Sequence, residues 1–248
     1  SSKLYYVLHS PASLIPNRYE FIKSNYKKFN FLSFISVSAF VKLESKPYFN
    51  SNQNSVIHHG LDFSNINRKT NYEQNGKLKI LTVAALESWK GIQNIISAFN
   101  DIEIKQNFEY HIIGEGPYRE QLYQDIKKYN VVESVFLCGR KDNVESLYCN
   151  YDIYCQLSVG EAFGLAIIEA MYAGLPAIVY NIPPFDLIFP SDKVLKIEKN
   201  NNEQLKFKFF DLLSSVERKN FGLDGQKFVS KSFTIEKMAN DYYDLFNS

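Results

Sequence analysis

The sequence predicts an α/β protein built on parallel sheets, and three observations lead there. Apolar segments of strand length alternate with segments of helical spacing, which is the pattern of βα units with helices on both faces of a parallel sheet. A polar run, SNINRKTNYEQNGK at 64–77, lacks periodicity and separates a short first part from a longer regular one. Hydrophobic residues make up 45% of the 248 residues and charged residues 22%, which suits a packed core and argues against disorder.

The elements follow in order. KLYYVL at 3–8 reads as a buried strand, NRYEFIKSNYKKF at 17–29 as a helix and FLSFISVS at 31–38 as a second strand. NSVIHHGLD at 54–62 is a strand running into a glycine turn. After the polar run, 78–86 is a strand and GIQNIISAFNDI at 91–102 a helix. FEYHIIG at 108–114 is a strand and PYREQLYQDIKKYN a helix. SVFLCG is a strand and VESLYCN a short helix. YDIYCQLS at 151–158 is a strand, GEAFGLAIIEAMYAGLPAI at 160–178 carries a helix, and LPAIVY and KVLKI are strands. NEQLKFKFFDLLSSVERKNF and FTIEKMANDYYDLF close the chain as two helices. The division expected is a short first part at 1–62, a linker at 63–77, a longer regular part at 78–232 and a terminal helix at 233–248.

The totals exclude some functions. A net charge of +1 argues against a nucleic-acid binder with a broad basic face. Cys138, Cys149 and Cys155 fit no zinc spacing, and an odd count suits reduced thiols in the cytoplasm. No apolar run reaches membrane-spanning length, and no secretory signal is read. The basic and aromatic helix at 17–29 has two readings. A solvated face is favoured over docking on anionic lipid, which would make the protein peripheral at the inner membrane face. The chain opens on Ser1 rather than Met, so a fragment or processed product is expected.

In parallel sheets ligands bind beyond the carboxyl ends of the strands. The loops to inspect are therefore those at 86–90, 114–117, 139–143 and 158–165. The last holds Glu161, and Glu169 lies just over one turn into the helix that follows. A helix start offers free N–H groups and a positive dipole end, a natural seat for phosphate. A carboxylate instead accepts hydrogen bonds from hydroxyls. Phosphates at the helix start with hydroxyls on either side describe a nucleotide sugar.

Glu161 and Glu169, with Phe163-Gly164-Leu165 between them and EAMYAGLPAI following, resemble the signature of the retaining glycosyltransferases of family 4, which have the GT-B fold. VAALESWKGIQNIISAF at 83–99 is similar to that family's strand, Lys-Gly loop and helix. IIGEGPYREQL at 112–122 is similar to its glycine-rich turn, and VIHHGLD at 56–62 to the end of its first domain. The likeness runs from about Ser55 to Pro184. It implies a carboxy-terminal, nucleotide-sugar-binding domain at 78–232 with a Rossmann-like doubly wound sheet, a partial amino-terminal, acceptor-side Rossmann-like domain at 1–62, since a full lobe takes on the order of 100 residues, and a terminal helix at 233–248 that crosses back to that first domain.

The resemblance also implies roles. Glu169 binds ribose hydroxyls, Glu161 the donor-sugar hydroxyls, and the amides of Phe163, Gly164 and Leu165 hold sugar and diphosphate. Gly116 belongs to the glycine-rich turn on the donor side. Lys90 neutralises the diphosphate, so no metal and no cofactor is expected beyond the nucleotide-sugar donor, UDP ahead of GDP. The backbone near Lys141 meets the base. His9 is either the histidine that approaches the transferred sugar or an ordinary packed or surface histidine. Where the family has Gly-Arg, this sequence has Ala84-Ala85, and Arg140 or Arg119 is the candidate replacement. His58 and His59 invite a metal reading, but neighbours on a strand face opposite ways, so that reading is set aside. His111 is read as structural.

The activity implied is transfer of a hexosyl or N-acetylhexosaminyl group to a glycan or lipid-linked acceptor, in bacterial surface polysaccharide or glycoconjugate assembly. The alternatives are a non-catalytic GT-B partner subunit and a GT-B sugar-nucleotide epimerase. Either the missing amino-terminal segment or a partner chain would complete the site.

Overall fold

The computed structural model describes residues 4–26, 32–48 and 54–247. Two parallel sheets organise them. In the first, β1 (Leu4–Leu8), β2 (Leu32–Ser36) and β3 (Asn54–Val56) lie in chain order, joined through α1 (Pro16–Tyr26) and α2 (Ala39–Ser45). Lys3, Phe31 and positions 27–29 of the expected strands and helix lie outside the described residues.

The second sheet has six strands. The chain runs β4 (Leu78–Val83), α3 (Ile92–Ala98), α4 (Ile102–Asn107), β5 (Phe108–Ile113), α5 (Arg119–Lys128) and β6 (Val135–Gly139). It continues through β7 (Ile153–Gln156), α6 (Leu165–Tyr172), β8 (Ala177–Tyr180), α7 (Pro183–Ile188), β9 (Leu195–Ile197), α8 (Asn202–Asp211), α9 (Ser215–Ser232) and α10 (Ile235–Asn247). The spatial order is β6-β5-β4-β7-β8-β9. The sheet therefore grows outward in both directions from the β4–β7 pair. Parallel sheets open a crevice at such a reversal, where the loops leaving the two central strands diverge.

Side chains alternate across the sheet plane and feed two core layers. Leu78, Ile80, Ile112, Cys155 and Ile178 belong to one layer, and Leu81, Ile113, Tyr154 and Val179 to the other. On α3, Ile92, Ile95 and Ile96 are fully buried, because that spacing puts them on one helical face. Each such side chain contributes about 1.5–3 kcal/mol on leaving water.

Several expected elements change. The helix of 91–102 stops at Ala98, because Asp101 starts a new one by accepting from the amides of Glu103 (2.9 Å) and Ile104 (3.4 Å). VESLYCN forms two 3-10 turns rather than a helix, entered through Asn143 at φ +54°. The helix expected over 202–221 is broken at 212–214. There Ser214 accepts from the Glu217 amide at 3.3 Å and opens α9, which continues to Ser232. A further helix, α7, begins at Pro183-Pro184. The strand expected over 54–62 ends at Val56, so His58 and His59 lie beyond it.

Residues 63–77 are irregular but packed onto the six-stranded half. The Phe63 ring stacks on Tyr172 at 4.0 Å, and the Tyr72 hydroxyl donates to the Gly174 carbonyl at 2.9 Å. Lys69 pairs with Asp152 at 3.0 Å, and buried Arg218 donates to the Tyr72 carbonyl. The halves are joined at Leu61, whose amide donates to the Phe233 carbonyl at 2.8 Å. From there α10 runs along the first half. Met238 sulfur accepts from the Gly60 amide at 3.2 Å, and the Phe246 ring lies 5.1 Å from Tyr5.

Candidate functional site

The loops leaving β4 and β7 meet at the reversal. They are tied together where the Val159 amide donates to the Trp89 carbonyl at 2.9 Å. The 3-10 turn Ser88–Lys90 then aims Lys90 at Glu161, and the two side chains form an ion pair. Both are largely withdrawn from water, at 14% and 12% exposure, so solvent screens the pair less than a surface one. The Lys90 ammonium also lies 4.1 Å from the centre of the Trp89 ring.

A second contact fixes Glu161. Buried Gln156, the last residue of β7, donates through Nε2 to Glu161 Oε1 at 2.8 Å, and its Oε1 accepts from the Tyr154 hydroxyl at 2.7 Å. Tyr154 thereby sets which way the amide points. A relay from Tyr154 through Gln156 and a cation at Lys90 thus converge on one carboxylate.

A cavity of about 300 Å³ opens over this carboxylate. His9, His59, Lys90, Gln156, Glu161 and Gly164 line it, with Phe163 and Leu165 beside them. Gly164 precedes α6 at φ +93°, a conformation that glycine adopts without strain, and no side chain caps the helix start. The first residues of α6, Leu165 and Ala166, line the cavity with amides that no side chain caps, the ordinary state of donors at a helix start.

Glu169 lies deeper on α6 and is half-buried. Its Oε2 accepts from the Tyr148 hydroxyl at 2.8 Å. Burial pushes its carboxyl above the usual range, and nearby Glu145 pushes the same way, while the Tyr148 bond opposes them. Burial likewise raises the Tyr148 phenol, so it stays a donor at neutral pH.

A second cavity, about 360 Å³, lies on the other side of the end of β4. Ala84, Ala85, Arg140 and Lys141 line it, and Val83 lines both cavities. Arg119 instead pairs with Glu115 at 3.2 Å, and Arg140 is the arginine beside Ala84-Ala85. Gly116 lines neither cavity. A Cβ there would strike the Leu86 backbone, so its place is a close approach of two loops. A larger cavity of about 700 Å³, between α5 and β6, holds Arg119 but none of the other expected site residues.

The structure thus gathers His9, Lys90, Glu161, Phe163, Gly164 and Leu165 in one cavity and Arg140 and Lys141 in its neighbour. It also corrects the histidine reading. His58 and His59 do not face apart: both rings surround Phe163, at 5.5 and 5.2 Å, and His59 stacks on His9 at 5.5 Å. Burial lowers both His58 and His59, which keeps them neutral at pH 7. Among the described residues no group of three or more His, Cys, Asp or Glu side chains is placed to hold a metal ion, and no helix is long and apolar enough to cross a membrane. Three site residues are new from the structure: His59, Gln156 and Tyr148. Gln156 had a signal, a polar side chain closing an otherwise apolar strand.

The family described as "Glycosyl transferases group 1" matches residues 63–228, and the chain belongs to that family. Among relatives, it is 25% identical over 189 residues to the N-acetyl-alpha-D-glucosaminyl L-malate synthase of Bacillus anthracis, covering 75% of this chain and 49% of that one. It is 28% identical over 209 residues to an O-antigen biosynthesis glycosyltransferase, WclY, of Escherichia coli, covering 80% and 56%. The chain thus spans about half the length of these relatives. Among solved structures, HepE of Anabaena in complex with UDP and glucose superposes with a TM-score of 0.85 at 16% identity, over 99% of this chain and 72% of that one. The fold is GT-B.

Proposed function

We propose that the chain binds a nucleotide-diphosphate sugar and belongs to a retaining glycosyltransferase that moves the sugar to a glycan or lipid-linked acceptor. The observation that carries this is the convergence of Lys90 and Gln156 on Glu161 at the uncapped start of α6, with Glu169 held by Tyr148 one turn beyond. In this reading the diphosphate takes the α6 amides and Lys90, without a metal. Glu161 accepts from sugar hydroxyls, and Glu169 from the ribose. Arg140 and Lys141 face the nucleotide across Val83. His9 approaches the transferred sugar. The bond from the anomeric carbon to the β-phosphate oxygen breaks, and the acceptor oxygen bonds to that carbon on the same face. The acceptor proton passes to the departing phosphate.

UDP is favoured as the nucleotide because a similar fold holds UDP and glucose. The group moved is a hexosyl or N-acetylhexosaminyl one, and the names of the two relatives, one an N-acetyl-alpha-D-glucosaminyl L-malate synthase and one an O-antigen biosynthesis glycosyltransferase, support the second and a place in bacterial glycoconjugate or surface polysaccharide synthesis. Titration calorimetry with UDP, GDP, ADP and their sugar conjugates tests the reading. The parent chain should bind one nucleotide series selectively, and Glu169→Ala should lose it. A folded parent that binds none of them would leave the site without a donor.

A further inference from the structure

The loop that carries Glu161 is held from both halves of the molecule. Phe163 is buried in the core of the six-stranded half, and Glu161 turns to Lys90 and Gln156 of that half. The alternate residues turn the other way. Ala162 lies against the core of the three-stranded half, and Leu14 approaches Gly160 closely enough that a Cβ there would sit 3.4 Å from it. The Ala162 carbonyl accepts from the Ser38 hydroxyl at 2.8 Å, a bond that spans 124 positions of sequence.

Ser38 is fully buried and does two things at once. It precedes α2 in extended conformation, and its oxygen accepts from the Val41 amide at 3.2 Å, capping the helix. One hydroxyl can accept and donate together. Its proton is therefore left for Ala162, whose two neighbours are Glu161 and Phe163. A helix start in one half thus sets the backbone next to a carboxylate in the other.

We propose that Ser38 is a positioning residue for Glu161, acting through the Ala162 carbonyl to hold the carboxylate toward the donor sugar. The proposal rests on the donor-binding reading above. It specifies that Ser38 governs recognition of the sugar and not of the nucleotide, since Glu169 and Tyr148 lie outside this loop.

Ser38→Gly separates this role from helix capping, because glycine replaces serine at a cap with little loss of helix stability. Ser38→Thr keeps both the donor and the acceptor. Affinities for UDP, UDP-glucose and UDP-N-acetylglucosamine would be measured by calorimetry on the parent and both variants, with melting temperatures alongside. The parent should prefer a sugar conjugate over UDP. Ser38→Gly should weaken that conjugate about tenfold, the scale of one lost hydrogen bond, without weakening UDP, and Ser38→Thr should restore it. Amide exchange at 159–164 should quicken in Ser38→Gly with no ligand present. Equal loss for UDP and conjugate, or unchanged preference with unchanged exchange, would overturn the proposal. If the parent selects the GDP or ADP series instead, that nucleotide and its sugar conjugates replace the UDP set in the same comparison; a parent that binds none of the three series would remove the donor-site reading itself, and Ser38's role in sugar recognition with it.

Discussion

The Tyr148 hydroxyl donates to the Glu169 carboxylate at 2.8 Å, across 21 positions of sequence. The bond gives a buried carboxylate one partner while leaving its other oxygen for a ligand. Because burial dominates, the carboxyl is raised in the fold relative to the unfolded chain. A group raised this way stabilises the fold at low pH, and that stabilisation is lost as pH rises through its folded value.

Glu169→Gln removes the charge and keeps an acceptor for Tyr148. It should melt above the parent at neutral pH, by about 2–4 °C for each kcal/mol recovered. The difference should shrink in acid, where the parent's carboxyl is protonated. Nucleotide affinity should fall about tenfold or more, since bonds to a charged acceptor are the stronger ones. Thermal melts across pH, paired with calorimetry, check both signs. A variant less stable than the parent at neutral pH would mean that the ionised form is favoured by the fold.

Arg140 lines the cavity with Ala84 and Ala85, whereas Arg119 is paired with Glu115. Arg140→Ala should therefore weaken nucleotide binding by about 10- to 100-fold, the range for a charged hydrogen bond, while Arg119→Ala should leave it within about twofold. The protein carries its own reporter. Trp89 is its one tryptophan, and its ring lies against Lys90. Emission from Trp89 should change as nucleotide is added, and the midpoint should shift for Arg140→Ala alone. Unchanged midpoints for both variants would exclude Arg140 from the site.

α10 reaches the first half through Met238 at Gly60 and Phe246 at Tyr5. Deleting 235–247 should quicken amide exchange in β1 and around Gly60 while leaving β7 and β8 protected. Protection of β1 equal to the parent's would show that the three-stranded half stands without the helix.

The repeating βα pattern was legible because each strand is apolar and each helix carries one apolar stripe. The Glu161–Glu169 motif was legible because carboxylates stand out in an apolar segment. What the sequence hid was short or long-range. α4 and α7 have six residues each, too few to show a period, although Asp101 and Pro183-Pro184 mark their starts. The second half of α9 was obscured by Gly222 and Gly225. His59 is hidden because β3 ends at Val56, so the rule that neighbouring strand residues face apart does not reach positions 58 and 59. The partners Gln156, Tyr148 and Ser38 meet their carboxylates or carbonyl only once the chain has folded.

The Lys90–Glu161 pair has a consequence for turnover on the function proposed here. A diphosphate reaching Lys90 competes with a carboxylate already in place. A sugar conjugate offsets that competition, because its hydroxyls occupy Glu161 as its phosphates occupy Lys90. A nucleoside diphosphate stripped of its sugar has nothing to offer Glu161, so the carboxylate reclaims the lysine and helps drive the spent nucleotide out. The pair would act as a built-in relief from product inhibition.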